Sequence, residues 1–347
     1  MIELSVIICA HNPRGDYLRR VLDALRDQSF AKNRWELLLV DNASQKALAK
    51  EWDLTWHPHA RHVREDRLGV VFARVRGFHE SIGETIVYVD DDNILDANYL
   101  RYAQQLLAAD TSLGACGGKV IGEFQTAPPE WFDSISVNLG LNDHGPEVKY
   151  YSWVGLDRSQ RTYPYGCALT AGIVLRRAAY QLYIDGFAAD PVRHRLGRKG
   201  RCLSSGEDND IVLTLMSSGY RLAYFPHLMI RHLIPSRRVS PSYLASLGYA
   251  GYRSWYLVHH IHGITDAQPV PPWTSPHRKL LAFWRRRAWR SWPQFIAWRQ
   301  ECGWLDGRAD VYRIKRRPHR YRNPIEKLNT TTFGTPAEGL QRPRLER

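Results

Sequence analysis

The chain is predicted to fold as an α/β protein, with a mostly parallel sheet, helices on both of its faces and a basic helical segment after it. Two observations carry that expectation. Largely apolar runs of strand length, Leu4–Cys9, Trp35–Val40 and Thr85–Val89, alternate with stretches whose apolar residues recur at helical spacing. Near-continuous apolar strands are buried on both faces, as parallel sheets require. Composition agrees: of 347 residues, 44% are hydrophobic and 24% charged, enough apolar material for a sizeable core.

Taken in order, Leu4–Cys9 is the first strand, and Tyr17–Ser29 follows as a helix with Leu18, Val21, Leu22 and Leu25 on one face. Trp35–Val40 is the second strand and ends at Asp41-Asn42. Leu68–Ile82 is a helix that aligns Val71, Phe72, Val75 and Phe78, and Thr85–Val89 is the third strand. Ala115–Ile121 and Leu169–Leu175 read as further strands, with the Pro-, Trp- and Tyr-rich residues 125–165 between them as loops over one edge. The stretch 186–204, with Arg193, Arg195, Arg198, Lys199 and Arg201, reads as another loop. Asn209–Ser218 is a predicted helix and Arg221–Ile234 a strand with a following turn. Pro271-Pro272 beside Trp273 marks a boundary, so 1–270 is expected to be one domain. Beyond it, Arg278–Ser291 reads as a basic amphipathic helix aligning Leu281, Trp284 and Ala288, and Pro293 breaks it or opens a second helix. Residues 271–327 are thus a Trp-rich basic extension, and 328–347 a flexible polar tail.

Charge is concentrated in that extension. The formal net charge is +13; residues 271–347 hold 18 basic and 6 acidic residues and six of the twelve tryptophans, which leaves +1 on the first 270. A nearly neutral body argues against nucleic acid as the main partner. The extension reads three ways: as a helix lying at an anionic membrane surface, as a binder of phosphate backbones and bases, or as a layer packed on the body with Arg stems covering apolar surface. No apolar stretch approaches the roughly 20 residues that span a bilayer. The N-terminus lacks the basic region and cleavage site of a signal peptide. Five scattered cysteines without a C-x-x-C pair suit a reducing compartment and argue against a disulfide framework or a zinc site. The expected location is therefore the cytoplasm, with the inner membrane face as a place of peripheral attachment.

Val87-Tyr88-Val89-Asp90-Asp91-Asp92-Asn93 is the most informative stretch. Three carboxylates following a buried strand repel one another unless a cation sits among them. Oxygen ligands suit Mg²⁺ or Mn²⁺, which bind substrate phosphates through one or two protein carboxylates. An acidic turn after a strand is the plainer reading of the same residues.

Four sites recur at strand ends or before a helix: Ala10-His11-Asn12-Pro13, Asp41-Asn42, Asp90-Asp91-Asp92, and Gly206-Glu207-Asp208-Asn209-Asp210 with His232 further on. Over about residues 3–235 their order resembles the family 2 glycosyltransferases. The opening SVIICAHNP, the strand ELLLVDNAS, the segment ending IVYVDDDN with its D-x-D motif, TAGIVLRR, and GEDNDIVLTLMSSGYRLAYFPHLMIRHLIPSRR each look like a family element. His11 stands where many members carry Tyr, and Val75 where many carry Asn.

The resemblance implies the Rossmann-like GT-A fold and an inverting, metal-dependent sugar transferase. By it, Asp41 would contact the base and Asp90 or Asp91 the ribose. Asp92 would hold the Mn²⁺ or Mg²⁺ that bridges the donor diphosphate, with His232 as a second ligand. Ala10, His11 and Asn12 would line the nucleotide, Arg74 would face it, and Asp208 would be the general base. The donor would be a UDP-sugar first, a GDP- or dTDP-sugar otherwise, and the hydroxyl acceptor a saccharide or a lipid-linked one, as in cell-surface polysaccharide or glycolipid synthesis. The 125–165 and 186–204 loops would shape the acceptor side. The residue types fit that chemistry: a cation stabilises the departing diphosphate, and one carboxylate deprotonates the acceptor as it attacks from the far side, inverting the anomeric carbon.

Other readings compete. A sugar nucleotidyltransferase shares the sheet but opens with a Gly-rich basic loop, whereas Ala10–Asp16 holds one Gly and one Arg. A non-catalytic membrane- or nucleic-acid-binding protein would need only the basic tail. Residue by residue, Ser205-x-x-Asp208 is close to a capping box, His232 could be a structural histidine and Arg74 a solvated one. Those separate roles do not account for the four sites in order.

Overall fold

In the computed structural model, which describes residues 1–166, 171–190, 192–200, 202–265 and 267–316, the first predicted strand runs Leu4–Ala10 (β1) and lies in the middle of a parallel quartet. Its partners are β2 (Trp35–Asn42) and β4 (Thr85–Asp90), and β3 (Ala60–Glu65) adds to β2. Alternate residues of each strand point to opposite faces. Ile7, Leu38, Val40, Ile86 and Tyr88 therefore enter one core cluster, while Val6, Ile8, Leu37, Leu39, Val87 and Val89 enter the other. Helix α1 (Gly15–Arg26) covers the second face with the four apolar residues foreseen, and α2 (Val70–Glu80) covers the first with Val71, Ala73 and Phe78.

The second half of the sheet is mixed rather than mostly parallel. After β5 (Asn93–Leu95) and α3 (Tyr99–Ala109) come β6 (Leu113–Phe124), β7 (Lys149–Tyr151), β8 (Val174–Arg176), α4 (Arg177–Ala189), α5 (Glu207–Ser217) and β9 (Arg221–Ile234). The order is β3-β2-β1-β4-β8-β6-β9-β5, with β7 also on β9. β8 is antiparallel to both β4 and β6, and the far edge of β9 is shared by β7 and β5, both antiparallel. A three-residue strand between two long ones needs no crossover helix, so nothing enforces parallel pairing there. The strand expected at Leu169–Leu175 is this short β8; residues 167–170 lie outside the described residues. The expected loop 186–204 begins inside α4.

Past β9, the 21-residue helix α6 (Pro241–Ile261) starts at a Ser240 cap whose hydroxyl accepts the Tyr243 N–H. The basic helix is shorter than predicted: α7 (Ser275–Arg285) stops where Arg287 takes φ 50° and Trp289 folds back over Phe283 and Trp284. Pro293 then opens α8 (Trp292–Arg316). Helix α8 lies backbone to backbone on α6, since a Cβ at Gly303 or Gly307 would stand 2.1 Å from the Tyr249 oxygen or 2.6 Å from the Arg253 oxygen. Tyr249–Asp306 and Arg253–Asp310 contacts of 2.7 Å reinforce the pairing. The tail 328–347 lies outside the described residues.

Candidate active site

The parallel register sets the first three sites level at one sheet edge: Ala10 pairs with Asp41, and Cys9 with Asp90. Ala10 is buried, while His11 and Asn12 are exposed. His11 donates from Nδ1 to the Asn42 carbonyl at 2.7 Å and accepts the Asn12 amide on Nε2 at 3.1 Å. Asn12, at φ 47°, receives the Gln45 N–H on its side-chain oxygen and gives its own N–H to Ser44. The first two strand-end loops are thereby stitched together.

Asp41 is 4% exposed. It accepts the backbone N–H of Ser44 and Leu48 at 2.9 and 3.1 Å and the Arg64 guanidinium at 2.7 Å. Burial pushes this carboxyl up, but those donors outweigh it and hold it below the ordinary carboxylate range. The Ser44 hydroxyl contributes as well, so the donors around Asp41 come close to filling its roughly four acceptor positions. Asn42 accepts the Gly69 N–H at 2.8 Å and donates to the Arg67 carbonyl, tying β2 to the start of α2.

Arg74 neither faces solvent nor stands free for a nucleotide. It is 4% exposed, and its two terminal nitrogens meet Glu207 at 2.8 Å and Asp90 at 3.0 Å. This guanidinium clamps the end of β4 to the start of α5, joining the two halves of the sheet edge. Glu207 is 3% exposed; burial pushes it up to about 7, even against the pull of Arg74. Asp208 is half-buried and accepts the Asn209 N–H at 2.9 Å. Burial raises its pKa, Asp90 adds to the rise, and Arg74 and the Asn209 N–H oppose it. The capping box read from Ser205 and Asp208 does not form: the N-cap is Gly206 at φ 108°, a conformation glycine adopts without strain, with no side-chain cap. Asp210 is instead buried against His262 at 2.7 Å.

Asp92 and His232 come together through the β5–β9 register, in which Asn93 faces His232 and Leu233 donates to the Asp92 carbonyl at 2.8 Å. Asp92 Oδ2 lies 3.5 Å from His232 Nε2. Between them stands Arg238, 3.0 Å from Asp92 and donating at 2.9 Å to His232 Nε2. An arginine only donates, so this His232 nitrogen is an acceptor and its proton sits on the buried, unpartnered Nδ1. Burial pushes neighbouring Asp91 up, as do Asp92 and Asp90; burial acts on Asp92 too, but the positive charges of Arg238 and Arg198 help hold it down.

No group of three or more His, Cys, Asp or Glu side chains among the described residues is arranged as a metal cage. Three groups at hand nonetheless fit a hard cation that takes its remaining ligands from phosphate oxygens: the buried Asp92 carboxylate, the acceptor nitrogen of His232, and the Asp91 carboxyl, which resists ionising without more positive charge. Sequence reading missed Arg64 and Arg238 and named Glu207 in the fourth site without giving it a role. Only Glu207, directly before Asp208, and Arg238, close after His232, gave any signal, by adjacency.

Residues 5–171 match the family described as Glycosyl transferase family 2. That stretch, just under half of the chain, is a family 2 glycosyltransferase domain. The chain is 26% identical over 120 residues to glycosyltransferase AglE of Haloferax volcanii, covering 34% of this chain and 39% of the relative. It is 20% identical over 244 residues to an N-acetylglucosaminyltransferase of Bradyrhizobium diazoefficiens, covering 67% and 45%. The transferase chain thus spans less than half the length of either curated relative. The crystal structure of S. aureus TarS 1-349 in complex with UDP-GlcNAc superposes with TM-score 0.50 at 14% identity, over 91% of this chain and 92% of that one. That likeness shows the GT-A fold.

Proposed function

We propose that this protein is a metal-dependent, inverting transferase that moves a sugar from a nucleotide donor to a hydroxyl acceptor in the cytoplasm. One observation carries the reading: strands and helices distant in sequence bring Asp41, Asp90–Asp92, His232 and Asp208 to one edge of one sheet. The loop of Ala10, His11 and Asn12 and the Asp41 carboxylate receive the nucleoside. Arg74 holds Asp90 in place and is a positioning residue. Asp92 and His232 hold the Mn²⁺ or Mg²⁺, which when bound offsets charge on the departing diphosphate. Asp208 takes the acceptor proton; its raised pKa makes it a better base than an exposed carboxylate. Tyr163 donates to Asn209, beside Asp208, at 2.5 Å and packs on Trp255, which places an aromatic wall for a saccharide next to the base. Residues 1–270 form the catalytic domain and 271–327 its basic extension. The Bradyrhizobium relative's name gives N-acetylglucosamine, and the TarS complex holds UDP-GlcNAc, so that sugar on UDP is the donor to try first, with GDP and dTDP carriers after it.

The test is nucleoside diphosphate release from a panel of sugar nucleotides, since transferases slowly hydrolyse their own donors. Release from one donor is expected with Mn²⁺ or Mg²⁺ and is expected to stop with EDTA and in Asp92→Asn. Unchanged release in that variant would refute the metal assignment. Pyrophosphate release from a nucleoside triphosphate would point to the nucleotidyltransferase.

Arg238 must leave Asp92 and His232 before a cation can bind there. Arg238→Met is therefore expected to tighten Mn²⁺ binding by roughly tenfold or more, because two charge-assisted contacts no longer compete. Free Mn²⁺ measured by electron paramagnetic resonance, without substrate, reads this directly. Equal or weaker binding would mean that Arg238 does not occupy the cation's place.

A further inference from the structure

Helix α7 turns two unlike faces to its surroundings. Ser275 and Ala282 are buried, and Lys279 reaches Asp306 of α8. The opposite face exposes Leu280 (57%), Leu281 (55%) and Trp284 (61%), continued by Trp289 (52%) and Trp292 (45%) in and after the turn. Trp284 and Trp289 pack on one another, with rings 4.9 Å apart, and Trp292 lies against Phe295 of α8. A contiguous apolar patch of this kind on a water-facing helix is costly unless something covers it.

The charge around the patch says what that is. Between Asp266 and Glu301 the sequence has no acidic residue and seven Lys or Arg. Arg285 and Arg286 are spent on Glu301, and Lys279 on Asp306. Arg278, Arg287 and Arg290 are exposed and form no ion pair among the described residues. Tryptophans that present an apolar ring and a polar N–H, interleaved with unpaired arginines, match the boundary between acyl chains and anionic headgroups. Helix α8, which anchors the unit to α6, gives the face a rigid base.

We infer that the Leu280–Trp292 face is a docking surface for an anionic lipid bilayer, with the tryptophans in the headgroup region and Arg278, Arg287 and Arg290 on the phosphates.

The experiment is vesicle flotation with the full chain, using phosphatidylglycerol–phosphatidylcholine and pure phosphatidylcholine. Three arginines near an anionic surface predict roughly 100-fold stronger binding to the former, falling with added salt. Trp284→Ser/Trp289→Ser is expected to lose at least tenfold, and Arg278→Glu/Arg287→Glu/Arg290→Glu to abolish the preference. Leu280→Ser/Leu281→Ser, which removes no ring contact, guards against a folding defect. Binding that survives all three variants, as binding through another basic segment would, overturns the inference. So does equal binding to neutral vesicles, displacement of the vesicles by an oligonucleotide that binds the same residues, or self-association that the same substitutions abolish. The assay contains no sugar donor, so its failure leaves the transferase reading intact.

Discussion

Asp208→Asn is expected to lower sugar transfer by roughly 10²–10⁴-fold, the usual contribution of a positioned general base. Donor binding and the melting temperature are expected to stay close to wild type. The geometry separates this from the structural alternative. Asp208 stands in the first turn of α5 and accepts the N–H of its neighbour Asn209, while Gly206 takes the N-cap position without a side-chain bond. As a helix-start charge alone it would contribute about 0.3–1 kcal/mol to stability and nothing to rate. Burial raises its pKa, so the carboxylate is kept more basic than in water while Arg74 limits the rise. Nucleoside diphosphate release and thermal melts on the same samples decide the matter. A variant that melts lower but turns over normally would reduce Asp208 to a helix-start acid and move the base elsewhere.

The second large effect is on stability. Arg74→Met is expected to cost about 3–5 kcal/mol, the penalty for stranding buried charges after one partner is removed. Glu207 and Asp90 both lose their cation, and Glu207 is 3% exposed. Urea denaturation measures the loss. In the Arg74→Met/Glu207→Gln double variant much of it is expected to return, since an uncharged Gln no longer needs the partner. Purely additive losses would argue against a coupled buried pair. The pH dependence follows from the same group. Burial raises Glu207 from its ordinary 4.5 to about 7. Between those values the folded chain keeps a proton that the unfolded chain has released, so this contribution is complete below 4.5 and is lost as pH rises to 7. Wild-type stability relative to Glu207→Gln is thus expected to fall by about 3 kcal/mol across that window and to level off above it.

Much of the edge was legible because its signals are local. The β1, β2 and β4 runs are apolar on both faces, and their alternation placed them in a covered parallel sheet. The acidic triplet, Asp208 and His232 were legible through their order along the chain, which sequence displays directly. Helices α3 and α6 and strand β3 escaped notice: β3, Ala60–Glu65, is held by its pairing with β2 rather than by an apolar run of its own. The antiparallel β8 escaped for a similar reason, since three residues carry too little periodicity to show direction.

Side-chain partnership was the part that sequence could not carry. Arg74 looks like any arginine on a helix until α5 packs beside β4 and buries it between Glu207 and Asp90. Arg238 comes between Asp92 and His232, in the place of the proposed cation, only because the β5–β9 register puts those two side by side. Of the three readings open for the basic extension, the fold assigns α8 to packing on α6 and leaves the apolar and basic outer face of α7 uncovered among the described residues. By itself, then, the sequence determined the α/β class, the family and the carboxylates at the strand ends, because apolar periodicity and motif order are properties of the chain. Which charges are buried, which pair and which remain available was decided by the tertiary structure, because burial and Coulomb energy depend on distances that only the packed fold sets.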